Sequence, residues 1–281
     1  MPEILTAVPT FFDDAGELDR DTTKRHFADL ADHVDGVFVC GTTGEFPALD
    51  LGERQELTEL ALAVFGPARV VVHVGAASTR DAVTLARNAV AAGALRLAAL
   101  TPYYLPVDFD SVARHFAAIT AVEGTAETYG YLFSERSGVI VPPEEFARIS
   151  AETGLAGAKL SGSAADRFGE YVEALPSGTR LWSGADTALA HVVRSGGTGV
   201  VSGLSAAFPR PFRALADAVS SGDAEAERSA QQQVDAVLDA LGGTIEGIKA
   251  ALRQLGYGNG AMRMPAPVLD PAALQRIARL P

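Results

Sequence analysis

Only three lysines, Lys24, Lys159 and Lys249, stand beside twenty arginines in this chain of 281 residues. Lys24 and Lys249 lie on helical patterns beside polar residues and read as solvated. Lys159 is different, because Leu155, Ala156, Ala158 and Leu160 around it are apolar. A lysine is rarely buried without a reason. The bland reading is a surface lysine on a frayed strand. The chemical reading is a desolvated amine, whose neutral form is favoured. Such an amine attacks a ketone and forms a Schiff base, an electron sink for making or breaking a carbon–carbon bond. Tyr129 and Tyr131 are two residues apart in a strand-like run, so both rings share one face. Core packing would account for both, whereas a phenol near the amine would carry protons to and from the forming adduct. Gly41-Thr42-Thr43-Gly44-Glu45 combines backbone freedom with two hydroxyls. It reads either as a plain loop or as a cradle for a small carboxylate.

Other chemistries lack their residues. His26, His33, His73, His115 and His191 are scattered without metal-ligand spacing. Cys40 is the single cysteine, so it forms no internal disulfide and reads as a small buried apolar residue. The glycine-rich 256–260 follows no strand, which argues against a dinucleotide.

These side chains need a scaffold, and the hydrophobic pattern supplies one. Apolar runs at 4–12, 37–40, 70–74, 95–101, 128–133, 156–160, 181–183 and 199–202 alternate with helical stretches, the last of them at 209–220. Several runs are apolar on successive residues, as parallel strands covered on both faces require. A doubly wound sheet would carry a glycine-rich phosphate turn after its first strand, and 10–16 has none. The pattern predicts a (β/α)8 barrel over 1–221 and a helical extension over 222–281, with helices at 223–241, 244–255 and 271–280. In a barrel, chemistry sits at the C-terminal strand ends. That is where Lys159 falls, with Tyr131 expected across the barrel from it. The net charge of −12 excludes a nucleic-acid partner. No apolar run reaches the ~18 residues of a membrane span. A cytoplasmic protein is expected.

Seven motifs in order then carry a resemblance: Gly41–Glu45, Thr101-Pro102-Tyr103-Tyr104, Tyr131–Gly138, Gly157-Ala158-Lys159, Ser183-Gly184-Ala185-Asp186, Gly196–Ser202 and Arg263-Met264-Pro265-Ala266-Pro267. With them the chain resembles the dihydrodipicolinate synthase and N-acetylneuraminate lyase family of pyruvate-handling class I aldolases, nearly end to end. The resemblance implies that Lys159 is the Schiff-base lysine and Tyr131 the proton carrier. It implies that Thr42 and Tyr104 complete the relay, with Tyr104 supplied by a neighbouring subunit. By the same resemblance Thr43 binds the pyruvate carboxylate, Val201 lines the pyruvate site, and Arg136 binds the carboxylate of a second substrate. It further implies a homotetramer built as a dimer of dimers, and no cofactor.

The departures concern the aldehyde partner. Leu132 and Ser134 replace the family's usual asparagine and proline, Leu160 stands where many synthases have an acid, and 242–247 replaces an Asn-Pro-Ile-Pro stretch. These resemble the 2-keto-3-deoxy sugar acid aldolases, while Arg136 points back to the synthase with an acceptor such as aspartate semialdehyde. A catalytically retired acid-binding relative is disfavoured by the intact Lys159, Tyr131, Thr42 and Thr43. Acceptor choice is expected to depend on the surroundings of Arg136, Val139 and Leu160.

Overall fold

The computed structural model describes residues 1–280, so only Pro281 of the expected extension lies outside it. Eight short strands, β1 (Glu3–Ala7), β2 (Gly36–Val39), β3 (Val70–His73), β4 (Arg96–Leu100), β5 (Glu127–Leu132), β6 (Gly157–Leu160), β7 (Arg180–Ser183) and β8 (Gly199–Ser202), form one closed parallel barrel in sequence order. β8 pairs back onto β1. Alternation along each strand divides the apolar residues into two layers. Leu5, Phe38, Val71, Ala98, Tyr129, Tyr131, Trp182 and Val201 pack inside the barrel. Ile4, Val37, Val72, Leu97, Ala158 and Leu160 face the surrounding helices. The two ends of the barrel differ. At the N-terminal end the Glu3 carboxylate accepts from Arg96 at 2.8 Å and from the Trp182 indole at 2.9 Å, closing the interior with a buried polar plug. The C-terminal end is open.

Helix starts are written in the local sequence. Asp19, Ser78 and Asp108 each accept from a backbone N–H of the first turn, and Asp50 forms a capping box with Glu53. Each such cap contributes about 1 kcal/mol. The first strand is shorter than its hydrophobic run. β1 stops at Ala7 because Pro9 cannot donate to a ladder, and the chain turns back so that Phe12 bridges Leu18. After β6 the chain forms two short helices, Ser163–Asp166 and Phe168–Ala174, broken at Arg167.

After the helix Pro209–Ser221 come the helices Ala224–Leu241, Ile245–Gln254 and Pro271–Ile277. Between the last two, residues 256–270 form neither helix nor strand and run as a strap beside the open end of the barrel. Lys249, expected to be solvated, is 2% exposed and paired with Glu45, itself fully buried. The expectation fails because Lys249 shares the buried face of its helix with Ile248 and Leu252, and its partner lies 204 residues away. Lys24 is exposed as expected. No described helix is long and apolar enough to cross a membrane.

Candidate active site

The open end of the barrel contains a cavity of about 670 Å³ lined by Thr42, Thr43, Tyr131, Arg136, Lys159 and Val201, six of the seven residues expected there. β5 and β6 pair in register with Tyr131 beside Lys159. The two are therefore lateral neighbours on adjacent strands and not opposed across the barrel, because the shared register points both side chains inward. Lys159 is 6% exposed, with Nζ 4.2 Å from the centroid of the Tyr131 ring and 4.8 Å from that of Phe38. Among the described residues no carboxylate pairs with it, in contrast to Lys249. Gly184 sits against its stem. A Cβ there would come within 2.1 Å of Ser161 Oγ and 3.3 Å of Lys159 Cε, so glycine leaves the space the lysine occupies.

The Tyr131 hydroxyl lies 3.1 Å from Thr42 Oγ1, joining the fifth strand to the loop after β2. That loop turns tightly. Glu45 N donates to Thr42 O at 3.0 Å, and Thr10 Oγ1 donates to Gly44 O at 2.7 Å. The backbone N–H groups of Thr42 and Thr43 have no acceptor among the described residues, so they are free to bind an anion. Behind the loop, burial and the nearby Arg54 guanidinium hold His73 well below the usual histidine range. Its neutral ring fits its bonds: Nδ1–H donates to Cys40 O at 2.9 Å and Nε2 accepts from Leu100 N at 3.2 Å. His73 packs edge-on against Phe46 and Tyr131, fixing the wall behind the phenol.

Arg136 is exposed at the rim, its guanidinium 5.7 Å from the Phe133 ring and without an ion pair among the described residues. Tyr104 lies outside the cavity. It is 87% exposed in a left-handed backbone conformation (φ 83°) and borders a separate cleft with Leu105 and Val107. Tyr103, its neighbour, lines the cavity instead. Leu160 and Val139 do not line it. Both are buried in the layer between barrel and helices, Leu160 because alternation turns the residue after an inward Lys159 outward. The mouth is bounded instead by Thr244, Ile245 and Glu246 and by Met262, Met264 and Pro265–Pro267 of the strap.

Asp186 also lines the cavity, accepting from Ser202 Oγ and from Leu204 N. The residue keeps some exposure, but its carboxyl is set into the wall. That desolvation pushes its pKa up, against the two hydrogen bonds and the charge of Lys159. Its place at the end of Ser183-Gly184-Ala185-Asp186, directly after β7, was the signal that could have found it. Among the described residues no group of three or more His, Cys, Asp or Glu side chains is placed to hold a metal ion.

Comparison with known proteins agrees with this arrangement. The model of the dihydrodipicolinate synthetase family matches residues 1–280. An uncharacterized DapA-like lyase of Halobacterium salinarum is 35% identical over 95% of this chain and 88% of its own length. A 4-hydroxy-tetrahydrodipicolinate synthase of Synechococcus is 32% identical over 96% and 90%. The structure of the 4-hydroxy-tetrahydrodipicolinate synthase of Methylacidiphilum fumariolicum superposes with a TM-score of 0.90 at 28% identity, over 99% of this chain and 94% of that one.

Proposed function

The chain belongs to the dihydrodipicolinate synthetase family and is a lyase of the class I aldolase type, and from that premise we propose that it condenses pyruvate with a small aldehyde, or cleaves the product, through a Schiff base on Lys159. The observation that carries this is the unpaired Lys159 amine packed on the ring of Tyr131, whose hydroxyl reaches Thr42 at 3.1 Å. The amine attacks the keto carbon of pyruvate, and the carbinolamine loses water to give an imine. Loss of a methyl proton gives an enamine, which adds to the aldehyde carbonyl. The new alkoxide takes up a proton, and water then releases the product from the lysine. Tyr131 and Thr42 move these protons. The N–H groups of Thr42 and Thr43, with the Thr43 hydroxyl, hold the pyruvate carboxylate, and Val201 walls the pyruvate site.

Arg136 supports an acceptor with its own carboxylate, aspartate semialdehyde above all, because a guanidinium grips a carboxylate with two parallel hydrogen bonds. A second reading is a 2-keto-3-deoxy sugar acid aldolase. It is favoured by the Asp186 carboxyl and Ser161 in the cavity wall, which offer partners to a hydroxylated acceptor. Tyr104 supports assembly as a dimer of dimers. With Leu105 and Ile140 it leaves bulky apolar surface open, and in a dimer it would extend the neighbour's relay. Steady-state rates with pyruvate and each of aspartate semialdehyde, glyceraldehyde and glycolaldehyde test the proposal. A preference for aspartate semialdehyde is expected. A preference for a neutral hydroxyaldehyde moves the assignment to the sugar acid aldolase, and no turnover of any acceptor contradicts both.

A further inference from the structure

We propose that the buried ion pair of Glu45 and Lys249 is a positioning device that seats the strap over the mouth of the cavity and so sets how tightly the aldehyde is held. The part concerning the aldehyde rests on the function proposed above. Burying two charges is costly, and an apolar pair of similar shape is often at least as stable. The contacts of this pair show what it does beyond stability. Glu45 Oε1 bonds Lys249 Nζ, and Glu45 Oε2 accepts from the backbone N–H of Arg263 at 2.9 Å and of Met264 at 2.8 Å. Lys249 Nζ also donates to Ala261 O at 2.6 Å. Three of these four bonds therefore end on the backbone of the strap. Having no helix or strand of its own, that backbone must find its partners elsewhere.

The part of the strap at 262–267 depends on this anchor because it has open space on both faces. Met262, Met264, Ala266 and Pro267 line the catalytic cavity on one side and a second hollow of about 720 Å³ on the other. A partition with space on both faces is held at its fastened end. Arg263 adds an outer fastening, donating to Gly16 O at 2.8 Å and bonding Glu53 at 2.8 Å. Glu45 holds a left-handed conformation (φ 54°), rare for a residue with a Cβ, two residues after Thr43. Loop and strap are thus joined through the Glu45 carboxylate, which touches neither Lys159 nor Tyr131, and beside it Arg263 donates to Ala48 O at 3.2 Å. Small displacements of such supports cost an enzyme up to ~100-fold.

The test compares wild-type protein with Lys249→Met, Lys249→Arg and the double variant Glu45→Gln/Lys249→Met, which leaves no unpaired buried charge. Tryptic cleavage between Arg263 and Met264 reads the strap directly and needs no enzymatic activity. It should rise about tenfold or more in Lys249→Met and in the double variant, because cleavage follows the population of the locally opened state. In both, KM for the aldehyde should rise about tenfold, while imine formation with pyruvate stays within about threefold. Lys249→Arg, keeping the charge, should recover part of each. Folded variants with wild-type cleavage and wild-type KM would overturn the proposal. So would imine formation falling in parallel with the aldehyde step, or a double variant that cannot fold, since the pair would then serve the barrel itself. Wild-type protein that turns over no aldehyde counts against the proposed function alone, and the cleavage arm still decides the strap.

Discussion

The ring of Tyr131 lies against the reacting amine, and its hydroxyl has Thr42 as its partner. Tyr131→Phe keeps the ring that packs against Lys159, Phe38 and His73 and removes only the proton carrier. It should lower kcat by roughly 10²–10⁴-fold with an unchanged thermal midpoint. Activity within a few fold of wild type would make the phenol a packing residue. Arg136 separates the two candidate acceptors at the same scale. With an acid semialdehyde, Arg136→Ala should cut kcat/KM by about tenfold or more, on the order of 1.5–3 kcal/mol, chiefly through KM. The rate of imine formation with pyruvate should change little, because that carboxylate is held at Thr42 and Thr43. Unchanged acceptor kinetics would reduce Arg136 to a residue of the rim.

At the scale of the elements, the barrel was legible in the sequence because each strand lies in a short apolar run followed by a helical stretch, and the helices after β1 to β4 begin at capping side chains. Asp50 with Glu53, Ser78 and Asp108 mark helix starts within a residue. The cavity wall was legible where it is made of strand ends, at Tyr131, Lys159 and Val201. It was illegible where the wall comes from elsewhere. The strap carries no periodicity, and its anchor pairs Glu45 with Lys249, two residues that look ordinary in their own neighbourhoods. Leu160 misled because its neighbours Lys159 and Ser161 line the cavity, although alternation turns Leu160 away from it; Val139, in the loop after Arg136, is buried against the helices instead. The helices also carry a testable pH dependence. Burial pushes His26, on the helix Arg20–Leu30, and His115, on the helix Phe109–Thr120, down to about 4. Between that value and the unfolded value near 6.5 the unfolded chain binds protons that the folded one does not. Their contribution is therefore complete above pH 6.5 and is lost as pH falls toward 4, on the order of 1–2 kcal/mol per histidine by pH 5. Thermal unfolding should show a falling midpoint from pH 7 to 5, and His26→Leu or His115→Leu should flatten it. A slope unchanged in both variants would assign the acid sensitivity to other groups.

At the scale of the whole molecule, a single chain carries Lys159, Tyr131 and Thr42 in one cavity but leaves Tyr104 on its outer surface. If the relay is completed between copies, Tyr104→Phe and Lys159→Met are each defective alone and complement one another when mixed. A mixed dimer has one site with both Lys159 and a neighbouring Tyr104, so reassembled equal mixtures should regain about a quarter of the wild-type activity. Absence of any regain after verified subunit exchange would confine Tyr104 to its own chain. All of this chemistry depends on the covalent step, and that step can be measured directly. Incubation with pyruvate and borohydride, followed by peptide mass spectrometry, should find the reduced pyruvate adduct on Lys159 and parallel loss of activity. No adduct, or an adduct confined to the exposed Lys24 or the paired Lys249, would contradict the account.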